Sequence, residues 1–385
     1  MPLLLIGAMA ALWAVLCVLT NSSFAGATAY NTYTRQAMAW RQGLLHLPED
    51  VKYLELAVYQ GDYYVSFPPL PSVVLLPLTY LFGWNTPDNL LVKLYALGAC
   101  LLMYFALKRA GYKPWHAGAF AFLICFASSL LPLTLDGAVW YHAQVLAFFL
   151  TIAAICFLAL DLPTWSLLCY ALSVGCRPFN ALYGLPLFAV YIAINRRARI
   201  PVKAMARALL PGICLGLCVA AGLGIYNYVR FGDPLEFGHN YLPEFSTQGG
   251  IQFSLDHVAK NLKTFLWGLP LSEKYELKRF GFSMLLACPT LTLMLFWVIK
   301  DLLKRAMRVE KAVVLLTCLA HAFLLLMHRT FGGFQLGARY AVDLVPYTFF
   351  YLLLTPEKKK PTIAEYVFLT AVFLFMAWGS VQINL

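Results

Sequence analysis

The stretch FPPLPSVVLLPLTYLFGW, Phe67–Trp84, decides how the chain is arranged relative to a membrane. It is apolar enough to count as a crossing, but Pro68, Pro69 and Pro71 make a poor start for a regular helix. If it crossed, the basic turn at Lys108–Lys113 would fall on the outer side, together with the next two basic clusters. If it stays in the outer interface, all four basic clusters fall on the cytoplasmic side. We therefore predict that this stretch lies in the outer interface or re-enters it.

Composition identifies the class of protein. The chain has 385 residues, of which 61% are hydrophobic and 12% charged, and its mean hydropathy is +0.70. That leaves too little polar surface for a water-soluble domain of this size. A bilayer crossing needs about 20 mostly apolar residues. About eleven such stretches occur, near Leu3–Thr20, Leu91–Leu107, Ala117–Leu135, Ala143–Leu160, Trp165–Cys176, Ala181–Asn195, Leu209–Val229, Met284–Ile299, Ala312–Met327, Ala341–Leu354 and Ile363–Gly379.

The first apolar stretch lacks a basic leading segment and a cleavage pattern, so we interpret it as a retained span rather than a signal peptide. The ten cysteines all fall inside apolar segments, which favours small core residues over a disulfide framework or a metal site. The sequence predicts a single all-α polytopic membrane domain over residues 1–385, a bundle of about eleven transmembrane helices.

The net charge of +11 might suggest nucleic acid as a partner, but its distribution argues against that. Lysine and arginine cluster in short turns between apolar stretches, at Lys108–Lys113, Arg196–Lys203, Lys300–Lys311 and Lys358–Lys360. This is the positive-inside pattern, and the partner it implies is the anionic lipid headgroup. We expect a multi-pass protein of a bacterial plasma membrane with a cytoplasmic amino terminus.

Two long outer loops, about residues 21–90 and 230–283, contain helix-like pieces. Ala27–Leu45 and Phe253–Trp267 both repeat apolar residues near helical spacing, with basic residues on other faces. These patterns predict helices lying along the headgroups with the apolar face down.

Carboxylates on the predicted outer face are the candidates for acid–base chemistry. Glu55 lies among tyrosines and leucines, where partial desolvation would raise its pKa; the alternative is a pairing within a surface helix, for example with Lys52. Asp62 follows Gly61 and is also interpreted as a turn residue. Asp136 begins DGAVWYH at the end of a span, where it either faces the first loop or caps a helix.

Cationic residues on the same face are candidates for binding a phosphate. Arg177 precedes Pro178, so a helix end holds a cation near the membrane surface, where it binds either a lipid phosphate or a structural carboxylate. Arg339 has the same two choices, because Asp343 is four residues away on one predicted helix face. Arg329 could also bind a phosphate or a structural carboxylate, but its neighbours in the sequence give less indication of its role. His142 binds a phosphate or a metal, or is a plain interface histidine.

Several motifs together resemble GT-C type membrane glycosyltransferases, a group that includes the protein O-mannosyltransferases and the aminoarabinose transferases. The resemblance rests on the long first outer loop, FPPLP at the start of an apolar hairpin, RPFN, YNYVRFGDPLEFG and GARYAVDLVP. It implies transfer of a sugar from a polyprenyl-phosphate donor to an envelope glycan, lipid or protein acceptor at the outer face. It also implies a catalytic acid in the first outer loop and a second acid at the next outer turn, by position Glu55 (or Asp62) and Asp136.

One departure from the family keeps two alternatives open. Members usually carry the first acid soon after the first span, yet Asn21–Pro48 holds no aspartate or glutamate, and Asn31 stands about where one is expected. A catalytically silent scaffold of the same fold is therefore one alternative, and a flippase for a lipid-linked sugar is the other. No cofactor follows from the sequence, although a divalent metal stays open.

Overall fold

The computed structural model describes residues 1–246, 251–330, 332–355 and 357–384. Its α-helices are α1 Pro2–Leu19, α2 Thr32–Arg41, α3 Leu70–Phe82, α4 Asp88–Arg109, α5 Pro114–Phe126, α6 Leu130–Leu133, α7 Val139–Ala159, α8 Pro163–Val174, α9 Gly184–Arg197, α10 Val202–Phe231, α11 Pro243–Ser246, α12 Asp256–Trp267, α13 Met284–Ala287, α14 Pro289–Leu303, α15 Val309–Leu326, α16 Val345–Leu353 and α17 Ile363–Gln382. Short 3-10 segments cover Gly83–Asn85, Pro178–Tyr183, His239–Tyr241 and Arg339–Leu344.

The structure confirms the all-α polytopic fold. Each of the eleven predicted stretches contains a helix. By length and composition, seven helical stretches in the described residues can cross a membrane: Pro2–Leu19, Asp88–Arg109, Val139–Ala159, Pro178–Arg197, Val202–Phe231, Val309–Leu326 and Ile363–Gln382. The other predicted stretches form shorter helices, several of which begin at a proline, as α5 does at Pro114 and α14 at Pro289.

Helix α7 lies at the centre of the bundle, and 83% of its apolar window is buried. It packs against α4 and α8, while α10 packs on the far side of α8. Helix α10 presents most of its surface outward, with only 11% of its window buried. An apolar helix exposed to this extent is suited to contact with lipid rather than water.

The four basic clusters lie at one end of the bundle. The Lys359 ammonium donates to the Ala110 carbonyl, which joins the last cluster to the first. The Arg197 guanidinium donates to Glu310, which joins the second cluster to the third. The side chain of Arg308 donates to the carbonyl of Leu354, just before the last cluster. This common end is the arrangement that the positive-inside argument requires.

The proline-rich stretch forms α3, which is packed against α2. At 13 residues, α3 is about 20 Å long, short of the roughly 30 Å of a bilayer core. The Ser72 hydroxyl at its start donates to the Gln36 side chain at 2.6 Å. Near its end, the Arg41 guanidinium donates to the Thr79 carbonyl at 2.6 Å. Helices α2 and α3 therefore form one unit.

The two helical pieces predicted in the long loops are also found. Ala27–Leu45 contains α2, and Phe253–Trp267 contains α12.

A two-stranded hairpin occupies the middle of the first loop, where the sequence analysis did not predict strands. Strand β1, Leu56–Tyr59, pairs antiparallel with β2, Asp62–Val65. The two-residue turn between them has φ of 53° at Gln60 and 92° at Gly61, the left-handed backbone that short hairpins favour. Glu55 therefore precedes a strand instead of lying on a surface helix, which corrects that alternative.

Candidate active site

A large cavity of about 800 Å³ opens at the end of the bundle opposite the basic clusters. Four separate parts of the chain contribute its chemically active side chains: the first loop, the start of α7, the loop after α10 and the loop after α15. Among its lining residues are Tyr30, Glu55, Asp136, Trp140, Tyr141, His239, Glu244, His328, Arg329, Arg339 and Tyr340. The cavity therefore brings together two of the three predicted carboxylates and two of the three predicted arginines.

Glu55 is held at the edge of the cavity by an indole. The Nε1–H of Trp140 donates to Oε2 of Glu55 at 2.9 Å. The ring of Trp140 packs in turn against Tyr30, with 5.3 Å between the ring centroids. The Glu55 side chain is exposed, so the desolvation expected from the sequence is not found.

Asp136 lies in a turn that is fixed from behind by the start of α4. Its Oδ1 accepts the backbone N–H of Ala138 at 3.1 Å. The next N–H along, that of Gly137, donates to the Asn89 side chain at 2.6 Å. A Cβ at Gly137 would lie 2.5 Å from the carbonyl carbon of Asp88, so no larger residue fits here without moving the turn. The structure thus places one carboxylate at the cavity wall with little freedom.

Arg177 binds Asp343, not a neighbour in sequence. Its Nε donates to Oδ2 of Asp343 at 2.6 Å, and the other oxygen of Asp343 accepts from Gln144 at 2.9 Å. Burial alone would lower the pKa of Arg177, but the Asp343 carboxylate outweighs it and raises that pKa. The alternative in which Arg339 pairs with Asp343 is not found: both lie on the 3-10 segment Arg339–Leu344, where residues four apart do not share a face.

Arg339 is buried, and its guanidinium is incompletely paired. Its Nε, itself buried, has no hydrogen-bond partner among the described residues. The guanidinium lies against Gly332, where any Cβ would collide with Nε. The Tyr340 ring lies between the two arginines, with its centroid 5.1 Å from Cζ of Arg339 and 5.3 Å from Cζ of Arg177. A buried, incompletely paired guanidinium on a cavity wall is suited to bind an anion.

A second cavity of about 310 Å³ adjoins the first. It is lined by Arg177, Pro178, Phe179 and Glu236, and it shares Trp140, His239, His328, Arg339 and Tyr340 with the large cavity. The predicted cations Arg177 and Arg339 therefore face one compartment, while the carboxylates Glu55 and Asp136 face the other. Arg339 lies on the wall between them.

The remaining predicted residues lie elsewhere. Asp62 begins β2 and contacts His46, with 3.8 Å between Oδ1 and Nδ1; it does not line the large cavity, which fits the turn interpretation. His142 is completely buried, 3.9 Å from Asp88, and neither cavity includes it. Arg329 lines the large cavity but is exposed, near the ring of Phe245.

Two histidines that the sequence analysis did not select line both cavities. Burial lowers the pKa of His239, although the Ser66 carbonyl and the Glu55 carboxylate act in the opposite direction. Burial also lowers the pKa of His328, to about 4. Nothing in the local sequence selects His239, because only a tertiary contact reveals its burial. Among the described residues, no group of three or more histidine, cysteine, aspartate or glutamate side chains is arranged to hold a metal ion.

Solved structures resemble the chain over nearly its whole length. The archaeal oligosaccharyltransferase AglB from Archaeoglobus fulgidus, in complex with an inhibitory peptide and a dolichol-phosphate, superposes with a TM-score of 0.53 at 10% identity over 97% of this chain. ArnT from Cupriavidus metallidurans, bound to undecaprenyl phosphate, superposes with a TM-score of 0.55 at 14% identity over 95%. The chain has the GT-C glycosyltransferase fold.

The GT-C fold is thus established by structure, while sequence similarity is low. No family model and no curated protein matches the sequence. The chain spans 55% of the length of the AglB structure and 61% of the ArnT structure. Among its described residues, the carboxylates and guanidinium groups of the cavities lie at the end of the bundle away from the basic clusters.

Proposed function

We propose that this protein transfers a sugar from a polyprenyl-phosphate donor to a cell-envelope acceptor at the outer face of the membrane. The observation that carries the proposal is the joint cavity, in which Glu55 and Asp136 line one compartment and Arg177 and Arg339 line the other. The solved GT-C structures that contain dolichol-phosphate or undecaprenyl phosphate support a lipid-phosphate donor.

The arginines suit the phosphate of the donor. As the glycosidic bond breaks, negative charge develops on the departing phosphate, and a fixed guanidinium stabilises that charge. The Arg339 guanidinium lines both cavities and is incompletely paired, whereas Arg177 already binds Asp343 through its Nε. Arg339 is therefore the phosphate ligand in this proposal, and Arg177 adds positive potential beside it.

The carboxylates suit the acceptor. A hydroxyl group becomes a better nucleophile when a carboxylate takes its proton as it attacks the anomeric carbon. Oδ1 of Asp136 accepts one N–H of its own turn, and Oε2 of Glu55 accepts the Trp140 indole. Each carboxylate therefore keeps an oxygen for the substrate, and we assign both to the catalytic group.

The test is sugar transfer by purified protein supplied with undecaprenyl-phosphate-linked mannose, glucose or galactose. Glu55→Gln and Asp136→Asn are compared with wild type, and Asp62→Asn is the matched control outside the cavity. Loss of the base lowers kcat by roughly 10²- to 10⁴-fold, while the control keeps full turnover. Full turnover by both cavity variants would show that the site is wrongly assigned.

A catalytically silent scaffold is the second candidate, and one observation favours it. Asn31 occupies the place where the family usually has its first acid, and its Oδ1 accepts the Arg35 Nε–H at 2.9 Å. A scaffold would bind undecaprenyl phosphate and lose that binding in Arg339→Ala, yet wild type would transfer no sugar in the assay above.

A further inference from the structure

The motif YNYVRFGDPLEFG, Tyr226–Gly238, has no role in the proposed chemistry, yet its polar side chains are closely connected. The Asn227 amide donates to the Pro234 carbonyl at 3.1 Å. The Arg230 guanidinium donates to Oδ1 of Asn227 at 2.8 Å. The Glu236 carboxylate accepts the Gly238 N–H at 2.6 Å. These contacts fold the loop back onto the end of α10.

The folded loop is fastened to the hairpin at two consecutive carbonyls. Arg230 donates through Nη1 to the carbonyl of Val65 at 3.0 Å, and His239 contacts the carbonyl of Ser66 through Nδ1 at 2.7 Å. Between them, Gly238 has φ of +98°, and a Cβ there would lie 2.9 Å from the Phe231 ring. Only glycine meets both conditions at that position. The motif therefore fixes the place and orientation of the residue that follows it, His239.

The contact with Ser66 also determines which ring nitrogen of His239 carries the proton. A carbonyl oxygen only accepts, so Nδ1 must donate, and the neutral ring then carries its lone pair on Nε2. Burial keeps the ring neutral, because it lowers the pKa of His239. Nε2 makes no hydrogen bond to any described residue, and the side chain lines the wall common to the two cavities. The free atom is thus a hydrogen-bond acceptor.

An acceptor at this place selects one kind of ligand group. A phosphate oxygen also accepts and cannot bond to a lone pair, whereas a sugar hydroxyl donates. We propose that Nε2 of His239 accepts a hydrogen bond from a sugar hydroxyl at the junction of the two cavities, which makes His239 a specificity-determining residue. The inference rests on the proposed function, since the hydroxyl belongs either to the transferred sugar or to a sugar acceptor.

His239→Asn is the informative substitution. An asparagine amide reaches Ser66 from about the position of Nδ1, so it retains the contact to the hairpin and removes the Nε2 acceptor. His257→Gln is the matched control, because His257 lies on α12 at the same end of the bundle, is half-buried and is not among the residues that line either cavity. His239→Phe removes both interactions and shows how much of any effect is structural.

Transfer is measured with the sugar donor that wild type uses, and with its monodeoxy analogues. We expect one deoxy analogue to slow wild type roughly three- to tenfold, the contribution of one neutral hydrogen bond. His239→Asn should be slowed as much with the parent sugar and no further with that analogue. A deoxy acceptor series, run in the same way, distinguishes the acceptor as the source of the hydroxyl. Equal slowing of wild type and His239→Asn by every analogue of both series would overturn the inference.

A binding measurement separates this inference from the transfer activity. Protein with isotope-labelled imidazole nitrogens is placed in lipid nanodiscs, and the His239 resonance is assigned from its absence in His239→Asn. Undecaprenyl-phosphate-glucose, -mannose and -galactose are added in turn; at least one should shift the Nε2 resonance, while undecaprenyl phosphate without a sugar should not. If no sugar compound shifts it, or Nε2 proves to be protonated in the unbound protein, the inference fails. If a sugar compound shifts the Nε2 resonance but no sugar transfer is detected, the inference about His239 is supported and the transferase proposal fails.

Discussion

Replacing Asp343 by asparagine tests whether the Arg177–Asp343 pair holds the cavity together. The substitution keeps the shape of the side chain and removes its charge. At present, one carboxylate oxygen accepts Nε of Arg177 at 2.6 Å and the other accepts Nε2 of Gln144 at 2.9 Å. An amide has one acceptor and one donor group, so it satisfies only one of these donors and repels the other.

The expected loss of unfolding free energy in Asp343→Asn follows from the burial of the Asp343 and Arg177 side chains. Breaking a buried ion pair on one side costs about 3–5 kcal/mol. The Asp343 side chain is only 3% exposed, but that of Arg177 is 22% exposed, so water reaches the guanidinium and we expect about 2–3 kcal/mol. At about 2 °C per kcal/mol for a large chain, the unfolding midpoint should fall by about 4–6 °C.

The measurement is the apparent unfolding midpoint of purified protein in one detergent, followed by tryptophan fluorescence. Asp62→Asn is the control, because the Asp62 side chain is 49% exposed and its contact with His46 is weak. Adding Arg177→Met to Asp343→Asn removes the unpaired cation, so the double variant should unfold at a higher temperature than Asp343→Asn alone. A midpoint for Asp343→Asn within 1 °C of the control (about 0.5 kcal/mol) would refute this account of the pair.

Two further outcomes can be measured. Gly137→Ala should lower the transfer rate without unfolding the protein, because its Cβ would press on the Asp88 backbone and move the turn that carries Asp136; Gly222→Ala, which has open space around its Cβ, is the control. The folded chain binds fewer protons at His328 than the unfolded chain between about pH 4 and the ordinary value near 6.5. The stabilisation from His328 should therefore be complete above about pH 6.5 and be lost as the pH falls toward 4; a melting curve series in which His328→Gln shows the same pH slope as wild type would contradict this.

Most of the fold could be predicted from the sequence, because the features that determine it can be recognised in short continuous segments. Apolar length locates the helices, and the basic turns place four of their ends on one side. The helix α3 was not predicted, because the prolines were taken as a poor helix start; it begins at Leu70, between Pro69 and Pro71. The placement of this stretch in the outer interface stays a prediction. The β-hairpin was not predicted. Its two strands are only four residues long and are joined by two turn residues, so the alternation of apolar and polar residues is a weak signal in a loop rich in tyrosine.

The site was predicted less completely, since its partners come from distant parts of the chain. Glu55, Asp136 and Arg339 were found from residue type and position, and the structure gathers them at one cavity. Helical spacing suggested Asp343 as one possible partner of Arg339, and that alternative fails because the segment is a 3-10 helix. His239 looks like any exposed loop histidine until the Ser66 carbonyl, 173 residues away, is seen beside it. No local pattern reports such a contact.

The long separation between the halves of the Arg177–Asp343 pair has a consequence for biogenesis. Asp343 follows Arg177 by 166 residues. Three of the long apolar helical stretches among the described residues must therefore be synthesised before the guanidinium meets its carboxylate. During that interval the nascent chain carries an uncompensated cation at the bilayer surface, where anionic headgroups are the available counterions. The cavity is consequently among the last features completed during membrane insertion, and a chain halted before Arg339 lacks part of the cavity wall.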